Sequence, residues 1–142
     1  IRGIAGSHRA GGYGRHAAEY WKRANEEILV VLQVETRSAL EEIDQVVRVP
    51  GVDVIFIGPG DLSTALGHIG NPGHPEVQAA FARVEAATRA AGLALGNITR
   101  GWDQARELYG KGYQFLTIGS DTSLVVQGSQ DLVARFRQDI RP

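Results

Sequence analysis

The chain is 142 residues long, a length that one domain with its own core can fill. Its 15 Lys and Arg against 16 Asp and Glu leave a formal net charge of −1, which removes the broad electrostatic case for nucleic acid or an anionic membrane as a partner. No cysteine occurs, which excludes disulfides and thiolate metal sites. No apolar run is long enough to span a bilayer, so a soluble, cytoplasmic protein is the expectation.

In chain order, the opening "IRGIAGSHRA" carries no initiator methionine, and no methionine occurs anywhere. The chain therefore reads as processed, or as a piece of something longer. The glycine-rich "RAGGYGRH" (9–16) has basic residues but not the G-x-x-x-x-G-K-[ST] pattern of a phosphate loop, and reads as a mobile loop at a site mouth. A helix is expected over 15–27, then a strand, "ILVVLQV", over 28–34. The stretch 36–49 places Ala39, Leu40, Ile43, Val46 and Val47 near a 3.6-residue period, the mark of an amphipathic helix. "VDVIFIG" (52–58) is the second strand; a helix over 74–92 opens at Pro75 and stops at Gly92. "LALGNI" (93–98), a helix over 102–112, "YQFLTIG" (113–119) and a helix over 129–140 complete the series.

Each apolar run is short, uninterrupted and bounded by turn residues, as in strands buried on both faces. Strand alternating with helix predicts a parallel α/β protein, organised as a single domain over 1–142 without a linker. Four βα units are too few for a closed eight-stranded barrel, which takes about 250 residues. Periodicity alone leaves half a barrel and a small open sheet as alternatives.

Glu35, Asp61, Thr99 and the "GSDT" at 119–122 all fall just past a strand's C-terminal end, where both architectures place their active sites. Glu35 and Asp61 close consecutive strands. A hard divalent cation takes oxygen ligands and often only one or two protein carboxylates, and parallel neighbours lie about 4.8 Å apart, so the pair could share an ion. At Gly58-Pro59-Gly60 the absent side chain of Gly60 lets backbone N–H groups face an anion. The alternative is that Asp61 caps the following segment and Glu35 starts a helix, each favoured by the helix dipole.

The ordered motifs "SHRAGGYG", "QVET", "VDVIFIGPGDLSTALGHIGNPGHPEV" and "FLTIGSDT" resemble the HpcH/HpaI family of metal-dependent pyruvate aldolases over nearly the whole chain. The resemblance implies the C-terminal half, strands five to eight, of a (β/α)8 TIM barrel. It implies that Glu35 and Asp61 bind Mg2+, or alternatively Mn2+ or Co2+, and that Gln33, Gly60 and Asp61 contact the pyruvate moiety. The implied reaction is reversible aldol cleavage of a 2-oxo-4-hydroxy acid to pyruvate and an aldehyde, in a trimer of dimers that exchanges C-terminal helices, so that residues 122–138 pack on a neighbour. The family's catalytic histidine, its acidic partner and an arginine belong to the N-terminal half and have no matching position here. No catalytic residue is therefore assigned, and the missing half is expected on a longer chain or on a second one. A citrate-lyase-β-like acyl-CoA lyase and a non-catalytic half-barrel that binds metal or oxo acid remain as alternatives.

Other residues read as structural. His8, His16, His68 and His74 are expected in loops or at helix starts, and Lys22 and Lys111 on solvated faces. Tyr20, Trp21, Phe81, Trp102 and Phe136 are expected to pack rather than form a stacking platform. Asp121 or Thr122 is expected to cap the last helix, and Asn97 to touch the aldehyde half of the substrate.

Overall fold

A computed structural model describes residues 3–140. The chain divides into two compact units, Ile1–Val30 and Val31–Pro142.

The first unit holds a 3-10 turn, Arg9–Gly14, and helix α1, Ala17–Glu27. The glycine-rich segment is thus a hydrogen-bonded turn rather than an open loop. The His8 side chain caps it by accepting from Gly11 N at 3.1 Å, and Gly12 and Tyr13 both sit in the left-handed region (φ 62° and 56°). Gly12 tolerates that conformation without a Cβ penalty, whereas Tyr13 does not. Helix α1 buries none of its side chains within the structure.

The second unit carries strands β1 (Val31–Val34), β2 (Val54–Ile57), β3 (Ala94–Thr99) and β4 (Phe115–Ile118). All are parallel, in the order β1-β2-β3-β4. The register pairs Gln33 with Phe56, Phe56 with Gly96 and Gly96 with Phe115 on one face. On the other face Val34 pairs with Ile57, Ile57 with Asn97 and Asn97 with Leu116.

That second face meets the helices. Ile55, Ile57 and Leu95 pack with Ile43, Leu62, Val77, Val84 and Leu108 in one apolar cluster, each such side chain contributing roughly 1.5–3 kcal/mol on burial. Helix α5, Pro75–Ala90, buries Val77, Ala80, Val84 and Thr88, a stripe at helical spacing. The buried Thr88 hydroxyl is satisfied by donating to Val84 O at 2.7 Å. Helix α6, Trp102–Gly110, adds Ala105 and Leu108.

Four expectations are corrected. The helix foreseen over 36–49 is two short ones, α2 (Arg37–Glu41) and α3 (Ile43–Val46), because the backbone at Glu42 (φ −94°, ψ 11°) leaves the helical region and restarts with Ile43 wholly buried. The turn after β2 opens a helix, α4 (Pro59–Ala65), with Pro59 at its first position and Asp61 in its first turn, the residues that a helix start favours. The last helix, α7, runs Asp121–Asp139, and its cap is Ser120 rather than Asp121 or Thr122. Ser120 and Ser123 form a reciprocal capping box that satisfies orphan donors at the start. Of the aromatics expected to pack, Phe81 does so, whereas Trp21, Trp102 and Phe136 are exposed (46%, 67% and 62%). Helix α7 has no buried residue.

Candidate functional site

Strands β1 and β2 deliver the two candidate carboxylates to the same end of the sheet. Glu35 follows Val34 directly, and Gly58 N donates to Val34 O at 3.1 Å, so the two chains stay paired one residue beyond the ladder. Gln33, on the face opposite the helices, donates through Nε2 to Glu35 Oε2 at 2.5 Å. This contact joins the amide and the carboxylate as one unit.

Gly58 explains the space around them. A Cβ there would lie 2.8 Å from Gln33 Nε2, 3.0 Å from Glu35 Cβ and 3.3 Å from Glu35 Oε2. A side chain at this position would press on the Gln33–Glu35 unit and require the Gln33 amide to shift. Asp61 is exposed in the first turn of α4, where the helix dipole favours its negative charge. A Cβ at Gly60 would touch nothing within 4 Å, so that approach is open. The Gly60 carbonyl is held by the hydroxyls of Ser63 (2.8 Å) and Thr64 (3.0 Å), which anchors the first turn.

Two carboxylates with a neighbouring amide are a hard, oxygen-rich donor set that suits a hydrated cation better than a soft one, and the approach at Gly60 is open. The residues present therefore fit a divalent ion of the Mg2+ type.

Asn97 does not join them. Its register partners put it on the helix-facing side of β3, 6% exposed, with Oδ1 lacking a protein partner. It lines a groove of about 860 Å³ with Gln78, Glu85, Arg100, Gln104 and Tyr113. There Tyr113 Oη donates to Glu85 Oε1 at 2.7 Å. Burial first, and that hydrogen bond second, push the phenol well above its ordinary range.

Sequence reasoning passed over one cluster. His68 Nε2 lies 2.8 Å from Glu76 Oε2, and the His68 and His74 rings stack at 3.5 Å and 16°. His74 also caps α5, accepting from Glu76 N at 3.3 Å. The spacing His68…His74-x-Glu76 was visible, but a histidine before a proline-led helix reads equally well as a cap. Lys111 pairs with Glu107 at 2.6 Å, on a solvated face as expected.

Four parallel strands alternating with helices make the chain an α/β protein. Residues 4–128 match the HpcH/HpaI aldolase/citrate lyase family, and the chain belongs to that family. It is 41% identical over 138 residues to the hydroxypyruvate/pyruvate aldolase of Chromohalobacter salexigens, covering 96% of this chain and 54% of that protein. It is 40% identical over 136 residues to the 4-hydroxy-2-oxo-heptane-1,7-dioate aldolase of Klebsiella pneumoniae, covering 96% and 51%. The crystal structure of a family protein from Burkholderia cenocepacia superposes with a TM-score of 0.84 at 36% identity, over 96% of this chain and 53% of that one. The chain spans about half the length of the curated relatives it matches, and its four-stranded parallel sheet with helices matches part of a TIM-barrel-like aldolase fold.

Proposed function

We propose that this chain supplies the metal- and pyruvate-binding half of a class II pyruvate aldolase, which cleaves 2-oxo-4-hydroxy acids to pyruvate and an aldehyde. The observation that carries the reading is the Gln33–Glu35 unit set against Gly58, with Asp61 on the first turn after the neighbouring strand. Support comes from the aldolase names of the relatives.

Glu35 and Asp61 would hold the ion. A divalent cation bound there supplies Lewis-acid polarisation of the substrate's 2-oxo group. Gln33 has two amide protons: one holds Glu35, and the other is available to orient a substrate oxygen. The Gly60 N–H belongs to the first turn of α4, whose leading amides have no partner within the helix, and it would receive the substrate carboxylate. The proton leaving the 4-hydroxyl needs a base within hydrogen-bond reach. No residue of this chain is assigned that role.

Titration with pyruvate in the presence of Mg2+ or Mn2+, and again with excess chelator, tests the reading. Metal-dependent pyruvate binding is expected, and it should disappear in Glu35→Ala and in Asp61→Ala. Binding retained in both variants would remove the assigned ligands. Deuterium exchange into the pyruvate methyl group, followed by NMR, then asks for the base. The chain alone should show no metal-dependent exchange.

A further inference from the structure

The loop between α4 and α5 and the first turn of α5 carry three metal-ligating side chains outside the Glu35–Asp61 site. One donor atom from each of His68, His74 and Glu76 can be chosen so that all lie within 4.8 Å of one another. Nothing in the aldolase reading uses them.

The loop is already ordered. His68 N donates to Ser63 O at 2.8 Å, Asn71 N to His68 O at 3.0 Å and His74 N to Asn71 O at 3.1 Å, and Gln78 Nε2 donates to Pro72 O at 2.8 Å. A site on such a frame loses little entropy on closing around an ion. Donor atoms of one tetrahedral ion with 2.0–2.1 Å bonds are roughly 3.3 Å apart. The His68–Glu76 pair starts at 2.8 Å, while the His68 and His74 rings, stacked at 3.5 Å and 16°, must turn out of their stack for both nitrogens to face one ion. Arg37 donates to Ala65 O at 3.4 Å and is the cation near Glu76 that works against the site.

We propose that His68, His74 and Glu76 form a second divalent-metal site, which takes a borderline ion of the Zn2+ class with water completing the shell. Two imidazoles and one carboxylate favour Zn2+, Co2+ or Ni2+ over Mg2+, whereas the Glu35–Asp61 pair has the reverse preference. His68 binds through Nε2, its proton moving to Nδ1 or to solvent, and the ion takes the place of that N–H against Glu76. His74 gives up the long 3.3 Å cap to Glu76 N if it binds through Nδ1. The ion would clamp the segment that includes Pro72 and Gly73, which line the same groove as Pro59 and Gly60.

The test is calorimetric titration of the metal-free chain with Zn2+ under excess Mg2+, paired with Co2+ absorption spectra. One Zn2+ per chain and tetrahedral Co2+ bands are expected. His68→Ala/His74→Ala should weaken Zn2+ binding by at least ~10-fold, by analogy with the losses seen on removing even outer-shell partners. His74→Asn keeps a helix-capping acceptor, so it should lose Zn2+ affinity while its metal-free melting temperature stays unchanged. Glu35→Ala/Asp61→Ala should bind Zn2+ as the parent does. Equal Zn2+ binding in the parent and the double-histidine variant, or none up to about 1 mM, would overturn the proposal and leave the aldolase reading untouched.

Discussion

Gly58 sits against the Gln33–Glu35 unit. Its backbone (φ −91°, ψ 88°) is open to an L-residue, so Gly58→Ala tests space and not strain. The added methyl would meet Gln33 Nε2 at 2.8 Å and displace the Gln33–Glu35 unit. Gly58→Ala should therefore lose metal-dependent pyruvate binding by about 10-fold or more, a fold-change of ~1.4 kcal/mol, with an unchanged far-UV spectrum. Tyr113 invites a pH experiment. Its phenol is raised from 10.0, first by burial and then by the bond to Glu85, so the folded state holds that proton more tightly than the unfolded chain does. The contribution is complete below the ordinary phenol pKa and is lost as pH climbs through the folded value. Tyr113→Phe should cost about 1 kcal/mol at neutral pH and flatten the fall in stability above pH ~10, both read from urea melts across pH. At this scale the position of Glu35 and Asp61 just past consecutive strands was legible, because each follows its own apolar run. Asn97 was not legible as a groove residue. Its face depends on register with Ile57 and Leu116, which a single strand sequence does not carry.

Among the elements, the four strands and α5 were legible because period and punctuation agree: Pro75 opens α5 and the stripe Val77, Ala80, Val84, Thr88 runs through it. Helix α4 was hidden, since seven residues are too few to show a period and "GPG" reads as a turn. The break at Glu42 was hidden too, because an apolar period passes straight across a single non-helical residue. The sheet's weak point is Gly96, where a Cβ would lie 2.7 Å from Phe56 Cδ2, 3.1 Å from Val54 Cγ1 and 3.2 Å from Phe115 O. The Phe56 and Phe115 rings meet edge to face at 6.1 Å. Gly96→Ala should destabilise by about 1–3 kcal/mol through overpacking, measured by denaturant titration. Restoring stability with Phe56→Leu in the same chain would locate the clash.

Across the whole chain, the surfaces left open say what else is required. Helix α7 exposes Leu124, Leu132 and Phe136 (75%, 72% and 62%), and β1 and β4 are each paired on one side only among the described residues. Exposed apolar surface and unpaired strand edges both favour association. Sedimentation velocity is expected to show species larger than the monomer, and Leu132→Lys/Phe136→Lys should shift the distribution downward. A monomer at all concentrations would remove the assembly expectation. The sheet order also bears on how the chain acquires its structure. Val31 finds Val54 across the two short helices α2 and α3, and Gly96 finds Phe115 across α6, while Val54 must wait for Ala94 across the longer stretch that holds α4 and α5. Loop closure costs grow, slowly, with the intervening chain, so the β1–β2 and β3–β4 pairings are expected to form ahead of the β2–β3 seam. Gly96 lies on that seam; its substitution should slow refolding less than it speeds unfolding.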